Sequence, residues 1–167
     1  LPIYAYPFVT PRTKKLLDSI AEFGSDLFQK TLVFERSSDR VLIDGDHFTA
    51  YVPFAARWPI EIHLLPHRHV QHFGQLTSDE RDELAIIYSR LLGALDRIYE
   101  TPTPYISAWH QAPQVAGGEN VRLQLQITSP RRGADKLKYL AGSESAMGAF
   151  IADVAPEVAA AMIREAL

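Results

Sequence analysis

Hydrophobic and polar positions alternate most regularly near the middle of the chain. Over Val121–Ile127, the residues Val121, Leu123, Leu125 and Ile127 fall on one face of a predicted strand, with Arg122, Gln124, Gln126 and Thr128 on the other. An earlier run, Ile106–His110, also reads as a strand. A Pro- and Gly-rich stretch from Ala112 to Glu119 joins the two, which predicts neighbouring antiparallel strands with His110 near the polar row. The simplest reading of that row is a solvated sheet face. Ile60, Ile62 and Leu64 predict another half-buried strand, with Glu61 and His63 facing away from the core. Val41–Ile43, the Asp44-Gly45 turn and the run His47–Phe54 predict a hairpin, with Phe48, Ala50, Val52 and Phe54 on one face.

Helical spacing fills the remainder. Thr10-Pro11 caps a helix carrying Leu16, Leu17, Ile20 and Phe23, and Gly24 ends it. Ser25 can cap a second helix with Leu27, Phe28 and Leu32. Thr77-Ser78-Asp79-Glu80 has the form of a capping box. It opens the longest helix, about 78–99, with Leu84, Ile87, Tyr88, Leu91, Leu95 and Ile98 buried and Arg81, Asp82, Glu83, Arg90 and Asp96 solvated. Arg131-Arg132-Gly133 reads as a basic turn, and Pro156 starts a last helix. Residues 1–9 are aromatic, proline-containing and extended. The pattern is α+β, an antiparallel sheet with flanking helices. It divides into residues 1–36, a strand and helical segment continuing from another part, and a domain over 37–167.

Composition narrows the functional classes. The 167 residues are 47% hydrophobic, enough for a folded core. A net charge of −3 without a basic stripe argues against nucleic acid as a partner. No apolar run reaches membrane-spanning length, and a cytoplasmic location is the default expectation. There is no cysteine, hence no thiolate chemistry and no disulfide. His67, His69 and His72 lack a nearby third ligand and read as surface residues.

Several short motifs then occur in a telling order: Ile3-Tyr4-Ala5, Trp58-Pro59, Leu65-Pro66-His67-Arg68-His69-Val70, Trp109-His110-Gln111-Ala112-Pro113 and Lys138-Tyr139-Leu140-Ala141-Gly142-Ser143-Glu144. Together they resemble the C-terminal half of the galactose-1-phosphate uridylyltransferases, in the histidine-triad superfamily, over nearly the whole chain. The resemblance implies a HIT-like half-barrel and a two-step exchange. A histidine attacks the α-phosphorus of UDP-glucose, and the uridylyl-histidine then reacts with galactose-1-phosphate. It also implies dimers and a zinc or iron ion of largely structural role.

Two departures shape the expectation. The family's nucleophile lies in His-Pro-His-Gly-Gln just before the Ile-Tyr/Trp-Ala motif, but only Leu1-Pro2 precede Ile3 here, and the family's phosphoryl-binding Gln falls at Pro2. The resemblance therefore assigns no catalytic residue to this chain and places the His-Pro-His on a complementary N-terminal half. Where relatives read His-Leu-His-Leu-Glu, this chain reads Arg122-Leu123-Gln124-Leu125-Gln126. His110 matches a family metal ligand, but amides and a guanidinium make poor company for zinc, so metal binding is expected to be weak or absent. Lys138, Gly142 and Glu144 stand at the family's sugar and phosphate contacts, and Arg122, Gln124 and Gln126 are further candidates facing UDP-hexose or hexose-1-phosphate. Two functions follow as expectations: one part of a split uridylyltransferase, inactive alone, or a non-catalytic sugar-nucleotide-binding or scaffold module. No complete His-x-His-x-His occurs, which disfavours an autonomous histidine-triad hydrolase.

Overall fold

The computed structural model describes residues 9–99 and 101–167, so the extended segment expected at 1–9 lies outside the described residues but for Val9. Helix α1 (Pro11–Phe23) starts where Thr10 Oγ1 accepts from the Thr13 amide. It ends at Gly24, whose φ of 104° suits a residue without a Cβ. Helix α2 (Leu27–Arg36) follows. Its N-cap is Asp26 rather than Ser25, and no side chain makes the capping bond. Strands β1 (Val41–Asp44), β2 (Phe48–Tyr51) and β3 (Ile60–Pro66) form an antiparallel meander. Helix α3 (Ser78–Ile98) is opened by the full capping box of Thr77 and Glu80. Strands β4 (Ile106–His110) and β5 (Gln124–Ser129) then complete one five-stranded sheet in the order β1-β2-β3-β5-β4.

The sheet has helices on both faces. Phe48, Ala50, Ile60, Ile62, Leu64, Leu125 and Ile127 pack against α3 and against α5 (Pro156–Glu165), forming the larger core. On the opposite face Tyr51 and Leu65 meet Ile20 of α1 and Phe28 and Leu32 of α2. Strict alternation in β2 and β3 produces this division, because successive side chains leave the sheet on opposite sides. Beyond β5, strands β6 (Arg131–Gly133) and β7 (Lys136–Leu137) form a small hairpin, followed by the short helix α4 (Gly142–Met147).

Four expectations need correction. The central strand begins at Gln124, not Val121, because the Leu123 amide donates to the Val70 carbonyl outside the sheet ladder. Val121 accordingly joins the cluster under α1 and α2, whereas Leu123 joins the other core. Arg131-Arg132-Gly133 is a strand of the β6–β7 hairpin, not its turn. Phe54 lies past the end of β2 and is 64% exposed, so it does not share the buried face of Phe48. Glu83, expected in solvent, accepts hydrogen bonds from the amides of His47 and Phe48, and so ties α3 to the β1–β2 turn.

Candidate functional site

The polar row on β5 is buried. Gln124 and Gln126 are only 8% and 7% exposed, which overturns the expectation of a wet face. Pairing is as the spacing predicts: His110 lies opposite Gln124 and Ala108 opposite Gln126, while Gln126 faces His63 across β3. The same face of β3 carries Glu61, 2% exposed. Its carboxylate is fully occupied. One oxygen accepts from His63 Nε2 at 3.0 Å and Gln126 Nε2 at 2.8 Å; the other accepts from the amides of Arg57 at 2.7 Å and Trp58 at 3.3 Å. A carboxylate only accepts, so His63 is protonated at Nε2. Burial alone would raise the Glu61 carboxyl, but the bonds from His63, the Arg57 amide and Gln126 outweigh it and hold the group at about 2.

His110 closes this row at the sheet's edge strand. Its Nε2 is buried without a hydrogen-bond partner. Burial, and after it the Arg12 charge from the first turn of α1, push the imidazole down to about 4, so it is neutral at physiological pH. Arg122 does not belong to the row. Its guanidinium donates to the carbonyls of Pro66 and His67 at 3.0 and 3.2 Å and to Gln29 Oε1 at 3.3 Å, anchoring α2 to the end of β3. A zinc centre needs three or four imidazole, thiolate or carboxylate donors. Here one imidazole stands among two amides, and Glu61 and His63 are already bound to each other. Among the described residues no group of three or more His, Cys, Asp or Glu is placed to hold a metal ion. The donor set does not fit the metal that the resemblance implies.

The second constellation lies where β7 runs into α4. Lys138 and Glu144 form a buried pair, Nζ to Oε1 at 2.6 Å, their side chains 5% and 1% exposed. The ammonium also donates to the carbonyls of Arg57 at 2.9 Å and Ile151 at 2.7 Å. It sits 5.8 and 5.9 Å from the ring centres of Trp58 and Phe150. Glu144 in turn accepts from the Ala141 and Ile151 amides, the first being the helix-start bond of α4. The Lys138 bond, followed by these two amides, holds its carboxyl at about 2. A cavity of about 180 Å³ opens beside the pair, lined among others by Arg132, Tyr139, Ile151 and Asp153. Arg132 and Asp153 are ion-paired at its rim. Gly142 faces open space.

Sequence reasoning thus brought His110, Gln124 and Gln126 together, and Lys138 with Glu144. It missed Glu61 and His63, read as outward-facing, and Arg12. The available signal was the i, i+2 spacing of Glu61 and His63, which puts both on the face opposite Ile60 and Ile62.

Comparison with known proteins agrees with this architecture. Residues 13–167 match the family described as galactose-1-phosphate uridyl transferase, C-terminal domain. A galactose-1-phosphate uridylyltransferase of Streptomyces lividans is 45% identical over 66% of this chain and 34% of its own length. That of Thermotoga maritima is 31% identical over 98% of this chain and 53% of its own. A solved uridylyltransferase structure superposes with a TM-score of 0.84 at 32% identity, covering 96% of this chain and 52% of the other. A HIT-like protein from Bartonella henselae, at 10% identity, TM-score 0.53 and coverage of 85% and 92%, shares the fold alone. The chain therefore spans about half the length of the relatives that it matches over nearly its whole extent. It belongs to the galactose-1-phosphate uridylyltransferase family, whose C-terminal domain it represents.

Proposed function

We propose that this chain supplies the hexose-1-phosphate wall of a UDP-glucose:hexose-1-phosphate uridylyltransferase, and that the N-terminal half of the fold, carrying His-Pro-His, supplies the nucleophile. The observation that carries the reading is the meeting of the motif residues Lys138 and Glu144 at one cavity, in a chain matched to the C-terminal domain alone. In the implied reaction an imidazole nitrogen forms a bond to the α-phosphorus of UDP-glucose, and the bond to the glucose-1-phosphate oxygen breaks. A phosphate oxygen of galactose-1-phosphate then displaces the imidazole and gives UDP-galactose. This chain's part is to seat the sugar phosphate. The Lys138–Glu144 pair, clasped by Trp58 and Phe150, fixes the turn at Gly142 where the backbone is open. Arg122 holds the end of β3 in place, and Gln124 and Gln126 border the adjoining row.

Co-expression with a complementary half tests the proposal. The pair is expected to form UDP-galactose and the lone chain to turn over nothing. A soluble, associated pair without activity would count against it. Intact mass of the native protein, set against the 18.7 kDa of this sequence, shows whether the two halves share one polypeptide. Gln124, where relatives carry histidine, and Gln126, where they carry glutamate, favour a second reading as a non-catalytic sugar-nucleotide-binding module. Calorimetric binding of UDP-glucose without turnover, with the other half present, would support that one.

A further inference from the structure

We infer that the polar seam of β3, β4 and β5 beneath α1 is metal-independent: Glu61, His63 and Gln126 tie β3 to β5 by side-chain hydrogen bonds, beside the positions on β4 and β5 where the family resemblance places metal ligands. A metal at positions 110, 124 and 126 would join β4 to β5; the hydrogen-bonded seam instead joins β3 to β5 and meets that site at Gln126. Glu61 ties β3 to β5 through Gln126, and ties β3 to the Arg57–Trp58 turn through two amides. These bonds consume all the acceptor capacity that the carboxylate offers in plane. The Gln126 amide nitrogen is spent on Glu61, leaving a neutral carbonyl as its only donor toward a cation. His63 spends its Nε2 on the same carboxylate.

What remains for a metal is His110 and the carbonyl oxygens of the Gln124 and Gln126 amides. A single imidazole beside two amides is a weak set for zinc. Entry of a divalent ion would place two further positive charges in the field of Arg12, which already acts on both His110 and Glu61. The backbone, by contrast, is suited to a metal: positions 110 and 124 lie directly opposite, and 126 follows two residues along on the same face. The side chains alone therefore exclude the ion. This inference is independent of whether the chain takes part in catalysis.

The test uses the full chain, zinc sulfate and two readouts, bound zinc after dialysis and the thermal midpoint with and without EDTA. The parent is expected to retain zinc far below one per chain and to show an unchanged midpoint. One retained zinc per chain, with a midpoint lowered by EDTA, would overturn the inference. The double variant Gln124→His/Gln126→His places two imidazoles beside His110. It is expected to retain close to one zinc, with a midpoint that rises with zinc and falls with EDTA. A folded double variant that retains none would show that something other than these side chains excludes the metal. If the double variant does not fold, Gln124→His leaves the Glu61–Gln126 bond intact and is expected to bind zinc at least tenfold tighter than the parent; equal affinity overturns the inference. Gln126→Ala probes the junction itself, through a midpoint lowered by several degrees whether or not EDTA is present. An unchanged midpoint would refute the connecting role.

Discussion

Replacing Glu61 by Gln probes the buried row with a change of one charge and almost no volume. At neutral pH the carboxylate accepts four hydrogen bonds in a site where it is 2% exposed. An amide offers one acceptor and one donor. Either the two backbone amides or the His63–Gln126 side then faces an NH2 group, and only the latter can adapt, by a change of His63 tautomer and a flip of Gln126. The magnitude follows from proton linkage. The carboxyl lies near 4.5 unfolded and at about 2 folded. A difference of ~2.5 units at ~1.36 kcal/mol each is roughly 3 kcal/mol of stability from the ionised form. Because the folded value is depressed, this stability is fully present above the unfolded value. It is lost as pH falls through the folded one, and about half of it is gone near pH 3. Glu80 and Glu144 are also held at about 2 and titrate in the same window. The informative quantity is thus the difference between parent and variant in urea unfolding from pH 7 down to pH 2.5. That difference is expected to be roughly 3 kcal/mol at pH 7 and to shrink steadily toward the acid end. Parallel curves, with a constant offset across the range, would refute the assignment of the depressed carboxyl to Glu61.

Other substitutions test the scaffold that holds the row. Gly118→Ala drives a Cβ into the backbone carbonyl of Pro113; a loss of about 1–3 kcal/mol in denaturant unfolding is expected, since backbone cannot yield as a side-chain tip can. Thr77→Ala removes the hydroxyl that receives the Glu80 amide and is expected to cost about 1 kcal/mol, measured the same way. Gly24→Ala places a Cβ at φ 104°, 2.9 Å from an Asp26 oxygen, and is expected to lower stability by at least about 1 kcal/mol and to fray the end of α1 in hydrogen exchange. Arg122→Met leaves the Pro66 and His67 carbonyls without their donor; a loss of about 2 kcal/mol or more is expected, with no change in its pH profile between 5 and 8 because guanidinium does not titrate there.

Local signals carried far in this chain. The capping box of α3, the glycine ending α1, the pairing of β4 with β5 and the opposition of His110 to Gln124 all follow from short-range chemistry, and the structure has each of them. What alternation could not show was which polar side chains find partners distant in sequence. Arg40, in the polar stretch between α2 and β1, is 6% exposed: it pairs with Glu35 and with Glu157 of α5, between the rings of Phe34 and Phe54. Val121 obeys the strand period but leaves the strand, because the Leu123 amide is claimed by Val70. Neither event leaves a trace in hydropathy, since each depends on a segment about 50 or more residues away in the chain.

The same distinction bears on how a ligand is met. Residues that look ligand-facing in sequence are long cations and acids in a motif, and here the fold uses them on itself. Lys138 has three donors, and a carboxylate and two carbonyls take them. Arg122 donates to two carbonyls and an amide oxygen. An ammonium in this state meets a phosphate only by releasing a carbonyl of Arg57 or Ile151, and those carbonyls belong to the segments that carry Trp58 and Phe150. On the proposed function, binding of a sugar phosphate here would be coupled to the position of both aromatic rings. A ligand that draws Lys138 toward it must shift the Trp58 environment. Tryptophan fluorescence in a Trp109→Phe background, which leaves Trp58 as the one indole of this sequence, is expected to change on titration with galactose-1-phosphate in the protein assembled with a tryptophan-free complementary half. Binding shown by calorimetry with a silent Trp58 would mean that the phosphate is held by groups other than Lys138.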